Sequence, residues 1–399
     1  MIRFAQFMPF CQIILKKGKE RSVERFHPWI FSGAIQKING NVNNGDVVDV
    51  LSSDLSFLGR GYYHNGSISV RLLTFTEEEI NQDFFTRKIQ KAFLLRKSIS
   101  LLNSNATNAW RLVHGEGDEL PGLIIDIYGK HAVIQCHHSG FYSHINEISK
   151  ALQTVFGDKL ITIFDKSKET LGKDSGIKEV SFLKGNTESE IISENNHQFE
   201  VNWVTGQKTG FFLDQRDSRK LLGEYAAGKK ILNTFCYSGG FSIYALNNDA
   251  KEVHSLDSSK KAIELTEKNV SLNKNPERHV SIVADAIPYM NNLTGKYDII
   301  ILDPPAFAKH QSAKHNAVQA YRRLNEAAIR QINSGGLLFT FSCSQAIDKE
   351  LFRSILFSAA ANSKKQIKIL HQLHQGADHP VNIFHPEGEY LKGLVLSIE

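Results

Sequence analysis

The run Leu337 to Ala346, LLFTFSCSQA, is apolar until it meets a cysteine held between two serines. A thiol attacks carbon only as the thiolate, and with an ordinary pKa of about 8.5 it needs a proton acceptor or a positive field beside it. One reaction that needs such a thiolate is methylation of a pyrimidine carbon. Carbon 5 of cytosine is too weak a nucleophile to take a methyl group from a sulfonium unaided. Thiolate addition at carbon 6 turns the ring into an enamine; carbon 5 then attacks, a base removes its proton, and the thiol is eliminated. Methylation of nitrogen needs no adduct. The plain alternative for Cys343 is a small buried hydrophobe. Cys11 and Cys136, inside apolar strands, suit that alternative. Cys236 sits near a strand end, but in a loop expected beneath a cofactor.

Three aspartates supply the rest of a methyl-transfer site. In NTFCYSGGFS, Gly239 and Gly240 let backbone approach a ligand, yet no G-x-G-x-x-G is present to grip a dinucleotide pyrophosphate. Asp257 ends the next strand, placed to accept the hydroxyls of a ribose, and Asp285 in VADA is placed for an adenine amino group. Either aspartate alone reads equally as a helix N-cap. Together, at successive strand ends, they describe a pocket for an adenosine without a diphosphate, and S-adenosylmethionine fits it. IIILDPPAF follows in the correct order. The two prolines after Asp303 cannot continue a strand ladder, so the chain must leave the sheet rigidly there.

These residues need a doubly wound sheet to hold them. From about Gly228, strands and helix-length segments alternate, which implies an α/β fold with a largely parallel sheet covered on both faces. Gln12 to about Phe75 instead shows short β runs between Gly and Asn turns. At Thr76 the TEEE stretch reads as a capping box, followed by apolar residues at Ile80, Phe84, Ile89, Phe93 and Ile99 at helical spacing. The expected division is an all-β unit over 1–75, a central α+β domain over 76–195 and a Rossmann-like domain over 196–399.

The chain of 399 residues carries a formal net charge of +5, and an excess of four positive charges falls within residues 1–75. Lys16, Lys17, Lys19, Arg21 and Arg25 suit phosphate contacts; a solvated basic loop is the equal alternative. The early apolar stretch at 4–15 is too short to cross a membrane and is expected to be an opening strand. Four scattered cysteines argue against a disulfide framework or a thiolate zinc site and for a cytoplasmic protein. His371, His374, His379 and His385 match no standard zinc spacing, so no metal is expected. Asp378 or His379 in ADHPV is a candidate proton acceptor for the elimination step.

The ordered set RLVHGEGDELPGLIIDIYG, KTGFFLDQRDSR, FCYSGGFS, DPPAFAK, FSCS and DHPV…EGEYLKGLVL resembles the bacterial 23S rRNA cytosine-5 methyltransferases of the RlmI (YccW) type over nearly the whole chain. The resemblance implies an N-terminal PUA pseudobarrel that binds RNA and a C-terminal class I methyltransferase domain with a mixed seven-stranded sheet. It implies that Cys343 is the nucleophile and that Asp303 helps hold the target base. Around S-adenosylmethionine it implies Phe212, Asp214 and Arg216, the last as a clamp on the methionine carboxylate; its plain alternative is an exposed helix residue. The same pocket takes in Phe235, Tyr237, Ser238, Gly239, Gly240, Asp257, Asp285, Ala286 and Asp303. Glu119 in DELPG stands where a small residue is expected. The implied partner is 23S rRNA, free or in a precursor of the large ribosomal subunit; monomer and homodimer both stay open. Two other readings remain: an N-methyltransferase acting on guanine or adenine with Cys343 idle, and a noncatalytic RNA-binding or ribosome-assembly factor.

Overall fold

The computed structural model describes residues 10–99, 101–102, 105–172, 181–293, 296–308 and 311–399. The first part of the apolar stretch at 4–15, and Lys309 of DPPAFAK, lie outside them. Runs rich in Val, Ile and Leu form three main sheets.

The N-terminal sheet has six strands in the spatial order Trp29–Phe31, Ile68–Thr74, Phe57–Tyr63, Val47–Leu51, Cys11–Leu15, Ile35–Asn39. Irregular register at four of its pairings bends it around a small core of Ile13, Val48, Val50 and Val70. The central sheet has five strands, of which only Thr162–Asp165 and His131–Cys136 pair in parallel. Helices Gln82–Ser98 and Ile145–Phe156 pack on it. The first of these starts later than TEEE predicts. Asn81 caps it by accepting from the Phe84 N–H at 3.1 Å, while Glu78 is taken up by Thr74 and Arg87.

The catalytic sheet has seven strands in the order His279–Val283, Glu252–Asp257, Lys230–Thr234, Tyr297–Leu302, Ile332–Ser342, Lys392–Ile398, Ile367–Leu373. The first five pair in parallel, and Lys392–Ile398 lies antiparallel to both its neighbours, so the sheet is mixed. Its middle strand is apolar on both faces because both are covered. Ile299 and Ile301 join one core with Leu222 and Ala245, whereas Ile300 and Leu302 join the other with Leu324 and Ile355.

Strands Ser189–Glu194 and His197–Asn202 pair as a hairpin, so the division expected at 195/196 cuts a hairpin in two. Its Ile192, Phe199 and Val201 share a core with Leu222, Ala245 and Ile299, which ties the hairpin to the catalytic sheet. Arg96, fully buried, joins the central unit to the end of the chain: it pairs with Asp118 and donates to the carbonyls of Arg111 and Asp378. Glu119 adopts φ 61°, a left-handed conformation that glycine takes without strain, and it pairs with Lys88 and Lys91.

Candidate active site

Strand register gathers the site. Ile282, Leu256, Thr234, Leu302 and Thr340 lie opposite one another in a row across five parallel strands. Phe235, Asp257 and Asp303 come one residue beyond that row, Asp285 and Cys343 three residues beyond. Every chemical group expected from the sequence at a strand end thus projects from one edge, and Lys230–Thr234, the strand after which the chain order reverses, lies among them.

At that central strand the backbone is strained. Phe235, Tyr237 and Gly239 all have positive φ, at 56°, 47° and 78°. A side chain at Gly239 would come within 2.8 Å of the Thr266 methyl, so only glycine fits. Asp257 fixes the loop, accepting from the Tyr237 N–H at 3.1 Å and from the Ser259 N–H at 2.9 Å. The Tyr237 hydroxyl accepts from the Gln207 N–H and donates to the Gly210 carbonyl, and its ring meets Phe212 edge-on. Ser238 is buried, its carbonyl held by Asn269, and Gly240 and Ala286 are buried at the starts of helices Gly240–Asn247 and Ala286–Asn291. Asp285 stands at an N-cap position, but its carboxylate makes no capping bond and faces solvent.

Asp214, Asp303 and Cys343 form the second half of the site. Asp214 accepts from the Tyr390 hydroxyl at 2.6 Å, and its other carboxylate oxygen is buried with no protein partner. Asp303 accepts from the Gln215 amide at 3.1 Å; burial, then the neighbouring Asp214 charge, push its carboxyl up to about 7. The Cys343 sulfur is half-buried, 4.0 Å from the Pro304 carbonyl. Burial, Asp303 and Asp214 push its thiol up to about 11, while Lys392 pulls the other way. Lys392 lies opposite Ser342 in the antiparallel pairing; its ammonium is buried and donates to the Ser344 carbonyl at 2.8 Å. Burial lowers the Lys392 pKa to about 8, with Cys343 opposing that fall. This positive charge opposes the rise of the thiol without reversing it. Sequence reading missed it, although a lysine inside the apolar run YLKGLVL was a visible signal.

Arg216 departs from both readings made from sequence. It is 4% exposed, within 3.4 Å of Glu194, and donates to Asp378 at 3.1 Å and to the Ala109 carbonyl at 2.8 Å. Its guanidinium joins the hairpin, the central sheet and the C-terminal loop rather than lying on the surface, and those bonds leave it a structural tie in place of a carboxylate clamp. Arg219 grips Glu194 with two 2.8 Å bonds.

Asp378 and His379 are also sealed. Burial alone would raise Asp378, but Arg216 and then His379 hold its carboxyl well below the usual range, and it also accepts from the Arg111 N–H. Neither is free to take a proton from a bound base. The four C-terminal histidines have separate neighbours, His371 on Tyr225, His374 on the Gln375 carbonyl, His379 on Asp378 and His385 on Trp29. No cluster of three or more metal-ligating side chains occurs among the described residues. Cys136 is fully buried and Cys236 nearly so, its thiol raised by burial to about 12; Cys11 is half-buried and donates to the Asn41 carbonyl. The basic residues Lys16, Lys17, Lys19, Arg21 and Arg25 are all exposed on the N-terminal unit.

The half-site around residues 235–240 suits S-adenosylmethionine: a glycine cradle, Asp257 and Asp285 with acceptor capacity to spare, and an unpartnered Asp214 oxygen for an ammonium. Comparison with known proteins agrees. The profile of the PUA-like domain matches residues 13–75, and that of the S-adenosylmethionine-dependent methyltransferase matches residues 173–382. Ribosomal RNA large subunit methyltransferase I of Alteromonas mediterranea is 36% identical over 97% of this chain and 98% of its own. A solved chain described as a SAM-dependent methyltransferase from Streptococcus mutans superposes with TM-score 0.83 at 25% identity, covering 97% of this chain and 99% of that one. The methyltransferase SMU.776, solved in complex with SAH, gives TM-score 0.84 at the same identity and coverage.

Proposed function

Because the chain belongs to the ribosomal RNA large subunit methyltransferase I family of S-adenosylmethionine-dependent enzymes, we propose that it methylates carbon 5 of a cytosine in 23S rRNA through a covalent bond from Cys343 to carbon 6. The observation that carries this reading is the thiol itself: half-buried at a strand end, beside the carboxyl of Asp303 and the ammonium of Lys392. An N-methyltransferase has no use for such a group.

The donor, when bound, supplies an electrophilic methyl group. Asp257 and Asp285 hold its ribose and adenine, and Asp214 takes its ammonium. Lys392 favours the thiolate of Cys343, which adds to carbon 6. Asp303, with its carboxyl near neutrality, is half protonated at pH 7 and donates to nitrogen 3 as charge builds on the ring. Carbon 5 takes the methyl group and leaves the donor as its neutral thioether; a base then removes the carbon 5 proton, and the electrons return to expel the Cys343 thiolate as nitrogen 3 gives its proton back to Asp303. A base in a stacked helix cannot admit thiol and donor together, so the cytosine is flipped out. Among the described residues no helix is long and apolar enough to cross a membrane, and an rRNA substrate puts the enzyme in the cytoplasm.

Tritium transfer from labelled donor to rRNA of a deletion strain, followed by nucleoside mass analysis, tests this. Label in 5-methylcytidine that disappears with Cys343→Ala supports the reading. Label in a methylated purine, undiminished by that substitution, supports the N-methyltransferase.

A further inference from the structure

Two segments distant in sequence meet beside the N-terminal sheet. One carries Phe26, His27, Trp29 and Phe31; the other is the loop 376–389 that leads back into the catalytic sheet. Phe26 and Phe384 pack with ring centroids 5.4 Å apart, and His385 meets Trp29 edge-on at 4.3 Å. The central unit pins both. Trp29 Nε1 donates to Glu116 Oε1 at 2.9 Å, Asn382 reaches the Glu116 carbonyl, and Gly117 lies so close to the Pro380 carbonyl that a Cβ would sit 1.9 Å from it.

In spite of this packing the outward faces stay in water. Phe26, Phe31 and Phe384 are each about half exposed, and Ile383 is 85% exposed. Phe26 holds φ 63°, a conformation unusual for a bulky residue, which is the backbone turn that presents its ring. Next to the rings, a cavity of about 310 Å³ opens between Trp29, Phe31 and Lys19. An apolar patch of this kind marks an interaction surface. Its rim identifies the occupant. Lys16, Lys17, Lys19, Arg21 and Arg25 are exposed and form no ion pair among the described residues, whereas protein-docking surfaces are depleted in lysine.

We infer that Phe26, Phe31, Phe384 and Ile383, with the cavity beside Trp29, form a base-stacking platform for an unpaired stretch of the RNA substrate, its phosphates held by the five cations. This rests on the rRNA methyltransferase reading above. Every base has a π-face, so the platform supplies affinity and register and does not read sequence. The loop that carries Phe384 continues into Tyr390, bonded to Asp214, and Lys392, beside Cys343. RNA seated on the platform is therefore anchored to the segment that also builds the catalytic centre.

The test uses the full chain and two fluorescent probes of equal length, an unstructured single-stranded RNA and a blunt RNA duplex. For the Phe26→Ala/Phe384→Ala pair we expect about tenfold weaker binding of the single strand, an unchanged salt slope and less than twofold change on the duplex. Lys17→Gln/Lys19→Gln should instead weaken both probes and flatten the slope by about 0.7 to 0.9 for each phosphate that is no longer neutralised. With rRNA as substrate, the aromatic pair should raise KM and leave kcat within twofold. Unchanged single-strand affinity, or equal losses on both probes, overturns the platform. So does a loss seen only with assembled large-subunit particles, which would assign the patch to a ribosomal protein. Wild-type enzyme that binds the single strand through these rings yet methylates no RNA would overturn the enzymatic reading alone.

Discussion

Replacing Asp303 by Asn should make the protein more stable at pH 8 while removing its activity. The carboxyl titrates near 7 in the folded protein, about three units above its ordinary value, because burial and the Asp214 charge disfavour ionisation. At about 1.4 kcal/mol per unit the full cost of charging it approaches roughly 4 kcal/mol. Because Asp303 as a residue is only partly buried, solvent screening brings this to about 2 kcal/mol. The sign follows from proton linkage. Below pH 4 both folded and unfolded chains are protonated there and titration contributes nothing. Between pH 4 and 7 the folded state holds the proton and the unfolded state has lost it, so wild-type stability falls as pH rises. The advantage of Asp303→Asn should therefore grow from pH 4 to pH 7 and then level off. Denaturation midpoints of both proteins at pH 4, 5.5 and 8 measure it. In the same variant Cys343 loses a repelling negative charge, so its alkylation by iodoacetamide should speed up as the thiol pKa falls below about 11. An advantage that is the same at all three pH values, or slower alkylation, would refute the reasoning.

Lys392→Met removes the cation beside the thiol; alkylation of Cys343 and kcat at pH 7 should each fall about tenfold, one pKa unit of lost thiolate. Asp285→Ala should weaken donor binding in calorimetry and leave the melting temperature in place, because that carboxylate caps nothing; a fall of about 1 kcal/mol in stability with unchanged donor affinity would assign it to the helix instead. Asp378→Ala leaves the buried Arg216 only Glu194, already shared with Arg219, as a counter-charge and should cost about 3 kcal/mol in thermal or urea unfolding. Since Arg216 and His379 hold the Asp378 carboxyl below its usual range against the pull of burial, its contribution in the wild type should be full above about pH 4 and be lost only as acid protonates it.

The parallel strands and their chemical ends were legible because a strand covered on both faces must be apolar throughout, and the break into Asp-Pro-Pro or Ser-Cys-Ser marks where it leaves the sheet. What could not be read depends on partners remote in sequence. Arg216 opens a charged helix, and nothing local says that Asp378 will bury it. Lys392 looks like a gatekeeper in an apolar strand until the antiparallel register sets it opposite Ser342. Thr76 to Glu79 has the composition of a capping box, but Thr74 and Arg87 take Glu78 and the helix begins at the next competent cap, Asn81. The division expected at 195/196 falls on Asn195 and Asn196, which are the turn of a hairpin, each with positive φ. The platform at Phe384 was invisible for the same reason, its aromatic partners lying more than three hundred residues earlier.

The covalent step can be observed directly. Wild-type protein, S-adenosylmethionine and rRNA carrying 5-fluorocytosine should yield a denaturation-resistant adduct, because fluorine blocks the proton removal that frees the enzyme. Peptide mass mapping should place the methylated fluoropyrimidine on Cys343, and Cys343→Ala should give none. Product formed at the normal rate with no trapped protein, or an adduct on another cysteine, would contradict the assignment of Cys343 as the nucleophile.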